Sequence, residues 1–351
     1  MNCCLRCFAD IEVRGEIETN STQSGKCDYC KSEGISLVPA VELLNLFQDL
    51  ILSYMVSPKE NPNAKRLYLQ LKSWNIFADY LPDPAIEALV YDIGSDLLAD
   101  NKDLFEQLTL PKVLADEDGI QLADEYNITW NNFKEEIKST NRFFIQNTFE
   151  FEKVKDILTS YRHSYKKEKR FYRARNSDKG GINISYMGRP PALHATPGRA
   201  NPKGISYLYL ANDIKTTLYE VRAAIYDYVT VAEFKLIEEI NIVSLRHSSR
   251  ISPLQLDDLN KFLLYEQFVQ SLHEDLKKPL RRQDSELEYL PTQYLCELIK
   301  YLGYDGVEYS SSMNPAGFNI ALFDDKKVKC ISSTLYEINS IKYNYTEIAP
   351  E

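Results

Sequence analysis

Apolar residues recur in two rhythms along the chain, and the change of rhythm divides it. From Pro39 onward Val41, Leu44, Phe47, Leu50, Ile51 and Tyr54 follow at three- and four-residue steps, the spacing that collects apolar side chains on one helix face. Pro58, Asn61 and Pro62 end that pattern. Residues 65–80, 84–99 and 130–142 repeat it, the last through Trp130, Phe133, Ile137 and the group Arg142-Phe143-Phe144. An all-α domain is therefore expected over residues 39–160. Past residue 170, short runs bounded by Gly and Pro take over, at 205–210, 229–236 and 319–323, and these predict strands. Helical patterns at 216–228, 257–274 and 291–301 lie between them, so residues 165–340 are expected to form an α+β domain. Between the halves, Arg162, Lys166, Lys167, Lys169, Arg170, Arg173 and Arg175 make a sharp change in charge, which reads as a solvated connector, with a nucleic-acid patch as the alternative.

Composition narrows the class. A chain of 351 residues with 44% hydrophobic and 26% charged residues is long enough for two or three packed units, and its 24 Tyr argue against disorder. Its 41 basic and 51 acidic side chains leave a net charge of −10, which excludes a chain held to nucleic acid along its whole surface by phosphate contacts. The apolar stretch at 46–56 is interrupted by Gln48, Asp49 and Ser53 and falls short of the roughly 20 residues a membrane span needs. The start, Met1-Asn2-Cys3-Cys4-Leu5-Arg6-Cys7, lacks the apolar core of a secretory signal, so a reducing cytoplasm is the expected setting.

Five of the seven cysteines fall within the first thirty residues. Cys4-Leu5-Arg6-Cys7 and Cys27-Asp28-Tyr29-Cys30 are two C-x2-C pairs separated by residues 8–26, a spacing that brings four thiolates around one zinc ion. Four sulfurs leave no open coordination position, so a structural zinc in a knuckle domain over residues 1–38 is expected. Cys3 competes with Cys4 as a ligand, but the Cys4 step matches the second pair. Cys296 lies in an apolar helical pattern and reads as packing.

Four groups in the second half place polar residues where strands end or turns begin. They are Phe171-Tyr172-Arg173-Ala174-Arg175; the turn Gly198-Arg199-Ala200-Asn201-Pro202-Lys203-Gly204 before a strand containing Tyr209; Asp213-Ile214-Lys215-Thr216-Thr217-Leu218-Tyr219-Glu220, a capped helix; and Asp305-Gly306-Val307-Glu308-Tyr309-Ser310-Ser311, followed by Asn319 to Phe323. Singly each reads as a surface residue or a loop. In this order they resemble the RES domain, a toxin family named for its Arg, Glu and Ser, over about residues 169–333. The N-terminal half is similar to the HEPN/RES N-terminal domain, through its Cys-x2-Cys-Phe start, its second knuckle and the helix from Trp130 to Phe144.

The resemblance implies an ADP-ribosyltransferase-like fold and cleavage of the nicotinamide–ribose bond of NAD+, by hydrolysis or, with inorganic phosphate, by phosphorolysis. It assigns the family's Arg to Arg173, its turn Arg to Arg199, its strand-end Tyr to Tyr209, its Glu to Glu220 and its Ser to Ser311. Ala174 stands where several family members carry Tyr. The residue chemistry agrees: Arg173 and Arg199 suit a pyrophosphate, Asn201 belongs to the substrate-binding turn, Tyr209 can stack on the nicotinamide ring, and Glu220 can stabilise an oxocarbenium-like ribose. Ser311 is expected to hydrogen-bond substrate and not to act as a nucleophile, since none of His163, His194, His247 and His273 follows it at a recognisable position. NAD+ is thus the expected substrate and not a cofactor, and no membrane partner is expected. A helix-turn-helix antitoxin is the partner the family implies, and self-association remains open. No Arg precedes His163 at the spacing of a HEPN nuclease motif, so the helical half is expected to be a scaffold or regulator. Transfer of ADP-ribose to a macromolecule and a non-enzymatic knuckle adaptor are the competing readings.

Overall fold

The computed structural model describes the chain apart from residues 22, 59–60, 62, 116, 148–150, 247–251, 256–258, 279–284, 315 and 342–351. His247 lies outside the described residues. The chain divides into two compact units, Met1–Ile128 with His247–Phe268, and Thr129–Arg246 with Val269–Glu351. These boundaries differ from the expected 1–38, 39–160 and 165–340, because the knuckles and the helices that follow them share one core.

In the first unit, β1 (Asn2–Cys3), α1 (Ile11–Asn20), β2 (Gln23–Gly25) and β3 (Ile35–Pro39) surround the cysteines, with β3 central in an antiparallel three-stranded sheet. Asp10 starts α1 by accepting from the N–H groups of Glu12 and Val13 at 2.9 and 3.2 Å, an N-cap that satisfies donors the helix leaves open. Next come α2 (Leu44–Leu52), β4 (Tyr54–Val56), β5 (Lys65–Arg66), α3 (Leu67–Ser73), α4 (Asp83–Ile93), α5 (Leu98–Glu106), β6 (Leu108–Pro111) and α6 (Glu117–Ser139), which crosses into the second unit at Thr129. The helical rhythm read from Val41 to Ile51 is present. The all-α expectation is corrected, however, because β4, β6 and β5 form a second three-stranded sheet. Strands of two to four residues are too short to show alternation, and helical periodicity on either side hides them. The knuckle joins this body through the rings of Phe8, Phe47 and Phe77, whose centroids lie 5.8 to 6.4 Å apart, and through the Ala78 N–H donating to the Cys7 carbonyl at 2.9 Å.

The second unit contains α7 (Phe151–Ser160), β7 (Arg162–Tyr165), β8 (Arg170–Ser177), β9 (Leu208–Ala211), α8 (Ile214–Glu220), β10 (Tyr228–Leu236), β11 (Ile240–Ser244), the end of α9 (Leu259–Lys277), α10 (Leu290–Tyr301), β12 (Gly306–Ser310), β13 (Phe318–Leu322) and β14 (Val328–Glu337). Eight strands form one mixed sheet in the order β14-β10-β8-β9-β13-β12-β11-β7, parallel only between β11 and β12 among the described pairs. The basic stretch expected as a connector is corrected to the two strands β7 and β8. Phe171 and Tyr165, both buried, anchor them, while the exposed Lys and Arg between and beside these two mask the pattern. Phe171, Leu208, Leu210, Phe234, Ile242 and Ile320 belong to the main core on one face of the sheet. Cys296 is fully buried on α10, as packing required.

Two strands at the centre barely touch. β8 pairs with β10 through eight residues but with β9 through the single pair Tyr172↔Ala211. A sheet whose ladder stops there opens at that seam, and the adjoining strands must find other partners for the side chains beside it.

Candidate active site and cysteine cluster

Side-chain alternation decides what faces the seam. In β13, Phe318, Ile320 and Leu322 enter the core, which sends Asn319 to the opposite face, beside Tyr309 of β12 and level with Ala211 of β9. A cavity of about 170 Å³ lies there, lined among others by Tyr172, Arg173, Tyr209, Glu220, Tyr309 and Asn319.

Glu220 is placed by α8. Asp213 caps that helix by accepting from the Thr216 N–H at 2.8 Å, and the Thr216 hydroxyl donates to Asp213 Oδ2 at 2.8 Å while accepting from Asn314 Nδ2 at 2.8 Å. The turn carrying Asn314 comes so close that a Cβ on Gly317 would sit 2.1 Å from Thr216 Oγ1, so only glycine fits. At the far end of α8, Glu220 Oε1 accepts from Ser311 Oγ and from Asn319 Nδ2, each at 2.7 Å. Ser311 Oγ itself accepts from the N–H groups of Met313 and Asn314, both at 3.2 Å. The serine is thus held at the site through Glu220, with its proton donated and both lone-pair directions occupied.

Arg173 reaches the same cavity from β8. Its Nη1 is buried with no hydrogen-bond partner among the described residues, and burial followed by the nearby Arg175 charge lowers its pKa to about 10. A desolvated guanidinium with one nitrogen unpartnered stands ready for an anion. Tyr209 lines the cavity with its ring, while its hydroxyl donates to Asn201 Oδ1 at 2.6 Å and accepts from the Ala200 N–H at 3.3 Å. Burial pushes the Tyr209 phenol well up, so it stays protonated. Asn201 Nδ2 ties the turn together by donating to the Thr196, Pro202 and Ile205 carbonyls at 3.0, 3.2 and 2.8 Å. Asn201 therefore reaches the cavity through Tyr209.

Arg199 lies one layer behind. Its Nη1 donates to the Leu276 and Lys277 carbonyls at 3.3 and 2.8 Å, at the C-terminal end of α9, and its guanidinium carbon lies 5.4 Å from the centroid of the Tyr309 ring. Burial disfavours its charge, but the facing Tyr309 and Glu220 outweigh burial and raise its pKa. Among the expected residues, the structure brings Arg173, Tyr209 and Glu220 to the cavity wall, links Ser311 and Asn201 to them by hydrogen bonds, and sets Arg199 behind Tyr309. His194 is exposed in the short turn Ala192–His194 and is not among the cavity-lining residues. Sequence reasoning placed Tyr309 and Asn319 in the ordered groups that resemble the RES domain but gave neither a role; a further signal for Asn319 was a lone polar residue in an apolar strand.

In the first unit, the Sγ atoms of Cys4, Cys7, Cys27 and Cys30 all lie within 4.8 Å of one another, with Cys4–Cys30 and Cys7–Cys27 each at 3.4 Å. All seven cysteines are free thiols. Four sulfurs about 2.3 Å from a central ion would lie roughly 3.8 Å apart, so this set could hold one metal ion. Proton sharing with Cys27 pushes the Cys4 thiol up to about 12 and Cys7 further, while Cys27 is drawn down. Were all four ionised, their mutual repulsion would be offset by a cation between them. Cys3 is buried beside the group but outside it, and burial raises its thiol to about 12.

Residues 170–341 match the RES domain. That segment is a RES domain. Among solved structures, the crystal structure of the M. tuberculosis MbcT–MbcA toxin–antitoxin complex is similar, with 12% sequence identity, 53% of this chain and 93% of that chain covered, and a TM-score of 0.33. No curated protein matches the chain. The RES match begins at residue 170 and does not reach the N-terminal half, where a HEPN resemblance was expected. Among the described residues no helix is long and apolar enough to cross a membrane.

Proposed function

We propose that the RES domain cleaves the nicotinamide–ribose bond of NAD+ and acts in the cytoplasm as a toxin or defence effector that depletes this dinucleotide. The observation that carries the reading is Arg173 Nη1, buried and unpaired in the cavity that also holds the Glu220 carboxylate. A cation waiting for an anion beside a carboxylate suits a substrate that carries both a pyrophosphate and an incipient positive charge. Arg173 takes the pyrophosphate, and Arg199 adds its charge from behind Tyr309. Tyr209 and Tyr309 offer ring faces to the nicotinamide. As the C1′–N bond breaks, its electron pair leaves on nicotinamide, and Glu220 stabilises the cationic ribose. A water or phosphate oxygen then bonds to C1′; attacking water gives up a proton to solvent.

The cysteine cluster takes one zinc ion with a structural role, held by Cys4, Cys7, Cys27 and Cys30. The partner consistent with a toxin is an antitoxin that covers the cavity. Incubating the purified chain with NAD+, with and without inorganic phosphate, and measuring free nicotinamide tests the reading. Release in either condition is expected, and a folded chain that releases none under both overturns it.

A further inference from the structure

Strand β13 is apolar except at one position. Asn is disfavoured inside strands, yet Asn319 sits in the middle of the sheet, opposite Tyr309 on one side and Ala211 on the other, and is 5% exposed. A buried amide costs stability unless it is hydrogen-bonded. Its Nδ2 spends a donor on Glu220 Oε1, the oxygen that Ser311 already serves. Glu220 is the last residue of α8, where the open carbonyls of a helix end disfavour a carboxylate. Two donors offset that field. Because they arrive at one oxygen from separate elements, the turn after β12 and the strand β13, they fix an orientation where one donor would fix only a distance. Oε2 is left with no hydrogen-bond partner among the described residues.

We propose that Asn319 is a positioning residue for Glu220, holding Oε1 together with Ser311 so that Oε2 is the oxygen that meets the substrate. The proposal rests on the reading of Glu220 as the carboxylate that stabilises the ribose cation. A locally unfavourable residue kept inside a central strand is what a site demands of a scaffold. Around Glu220 the other titratable groups are Tyr172 and Arg173 from β8, Tyr209 from β9, Tyr309 from β12 and Arg199 from the turn before β9. Substitution at 319 removes none of them.

Nicotinamide release from NAD+ is measured for the full chain and for Asn319→Ala and Asn319→Asp, with thermal melts to establish folding. Asn319→Ala is expected to lower kcat about 10- to 100-fold with KM within about threefold, since the lost bond serves the charged form in the transition state. Asn319→Asp, the same size as Asn, sets a second carboxylate against Glu220 and is expected to move the acid limb of the kcat profile upward by about one pH unit. An unchanged kcat in Asn319→Ala, a loss carried wholly by KM, or an Asn319→Asp profile that superposes on the wild type overturns the proposal. If the wild-type chain releases no nicotinamide, the NAD+ reading fails by itself. The positioning role is then read from carbon NMR of the Glu220 carboxyl: a titration midpoint that rises in Asn319→Asp upholds it, and one that stays put overturns it.

Discussion

The four sulfurs of the first unit come from two short segments within residues 4–30, whereas the RES cavity draws Arg173, Tyr209, Glu220 and Asn319 from four elements spread over residues 173–319. The first site is set by two tight local turns and could hold one metal ion. The second is set by strand order: the seam between β8 and β9 makes the space and α8 brings the carboxylate to it. Loss of a part should therefore act differently in the two places. In the cluster it undoes structure, and in the cavity it stops chemistry while the sheet survives.

The largest effect belongs to the cluster. Cys27→Ser, or chelation of the wild type, is expected to take zinc from one ion per chain to none and to strip hydrogen-exchange protection from about the first forty residues; structural zinc in small domains contributes on the order of 10 kcal/mol. Unchanged metal content and exchange would end the contrast. Next comes Glu220→Gln, expected to cut nicotinamide release by about a thousandfold or more while the melting temperature stays near the wild-type value. A collapse of the fold would make Glu220 as structural as a cysteine ligand.

Arg173→Met sharpens the distinction from the opposite side. Burial without a partner makes the charged guanidinium a burden on the folded chain. Its pKa is lower folded, about 10, than unfolded, 12.5, so the cost is fully present below pH 10 and fades as pH rises between these values. Removing the charge is expected to stabilise the protein at neutral pH by about 1–3 kcal/mol and to raise KM for NAD+ about 10- to 100-fold. A melt and a saturation curve on one sample check both. The smallest effect is that of Tyr209→Phe, which removes the bonds to Asn201 and Ala200 but keeps the ring; a loss of about 1 kcal/mol and a few-fold drop in activity are expected.

The same contrast governs how far the sequence could be read. The four clustered cysteines are legible because their spacing is itself the geometry, and Cys3 drops out for the same reason. Glu220 and Arg173 are legible through the order of their groups. Asn319 is not, since its meaning arises only when the pairing of β12, β13 and β9 turns it toward Glu220. The commitment of Arg199 to the end of α9 is hidden likewise, because Leu276 and Lys277 lie nearly eighty positions away. β7 and β8 escape notice because Arg162, Arg170 and Arg175 are exposed on strands held by Tyr165 and Phe171, and charge counts more than alternation in a short window. The small sheet of β4, β5 and β6 escapes because its strands, two to four residues long, are too short to show alternation.

The Ser311 hydroxyl, with its hydrogen given to Glu220 and its lone pairs facing two backbone N–H groups, has a pharmacological consequence. Reagents that capture serine enzymes, such as fluorophosphonates and sulfonyl fluorides, depend on an oxygen that can be freed to attack phosphorus or sulfur. Here that oxygen is part of the architecture, so a serine-directed activity probe is expected to leave the protein unlabelled in a lysate.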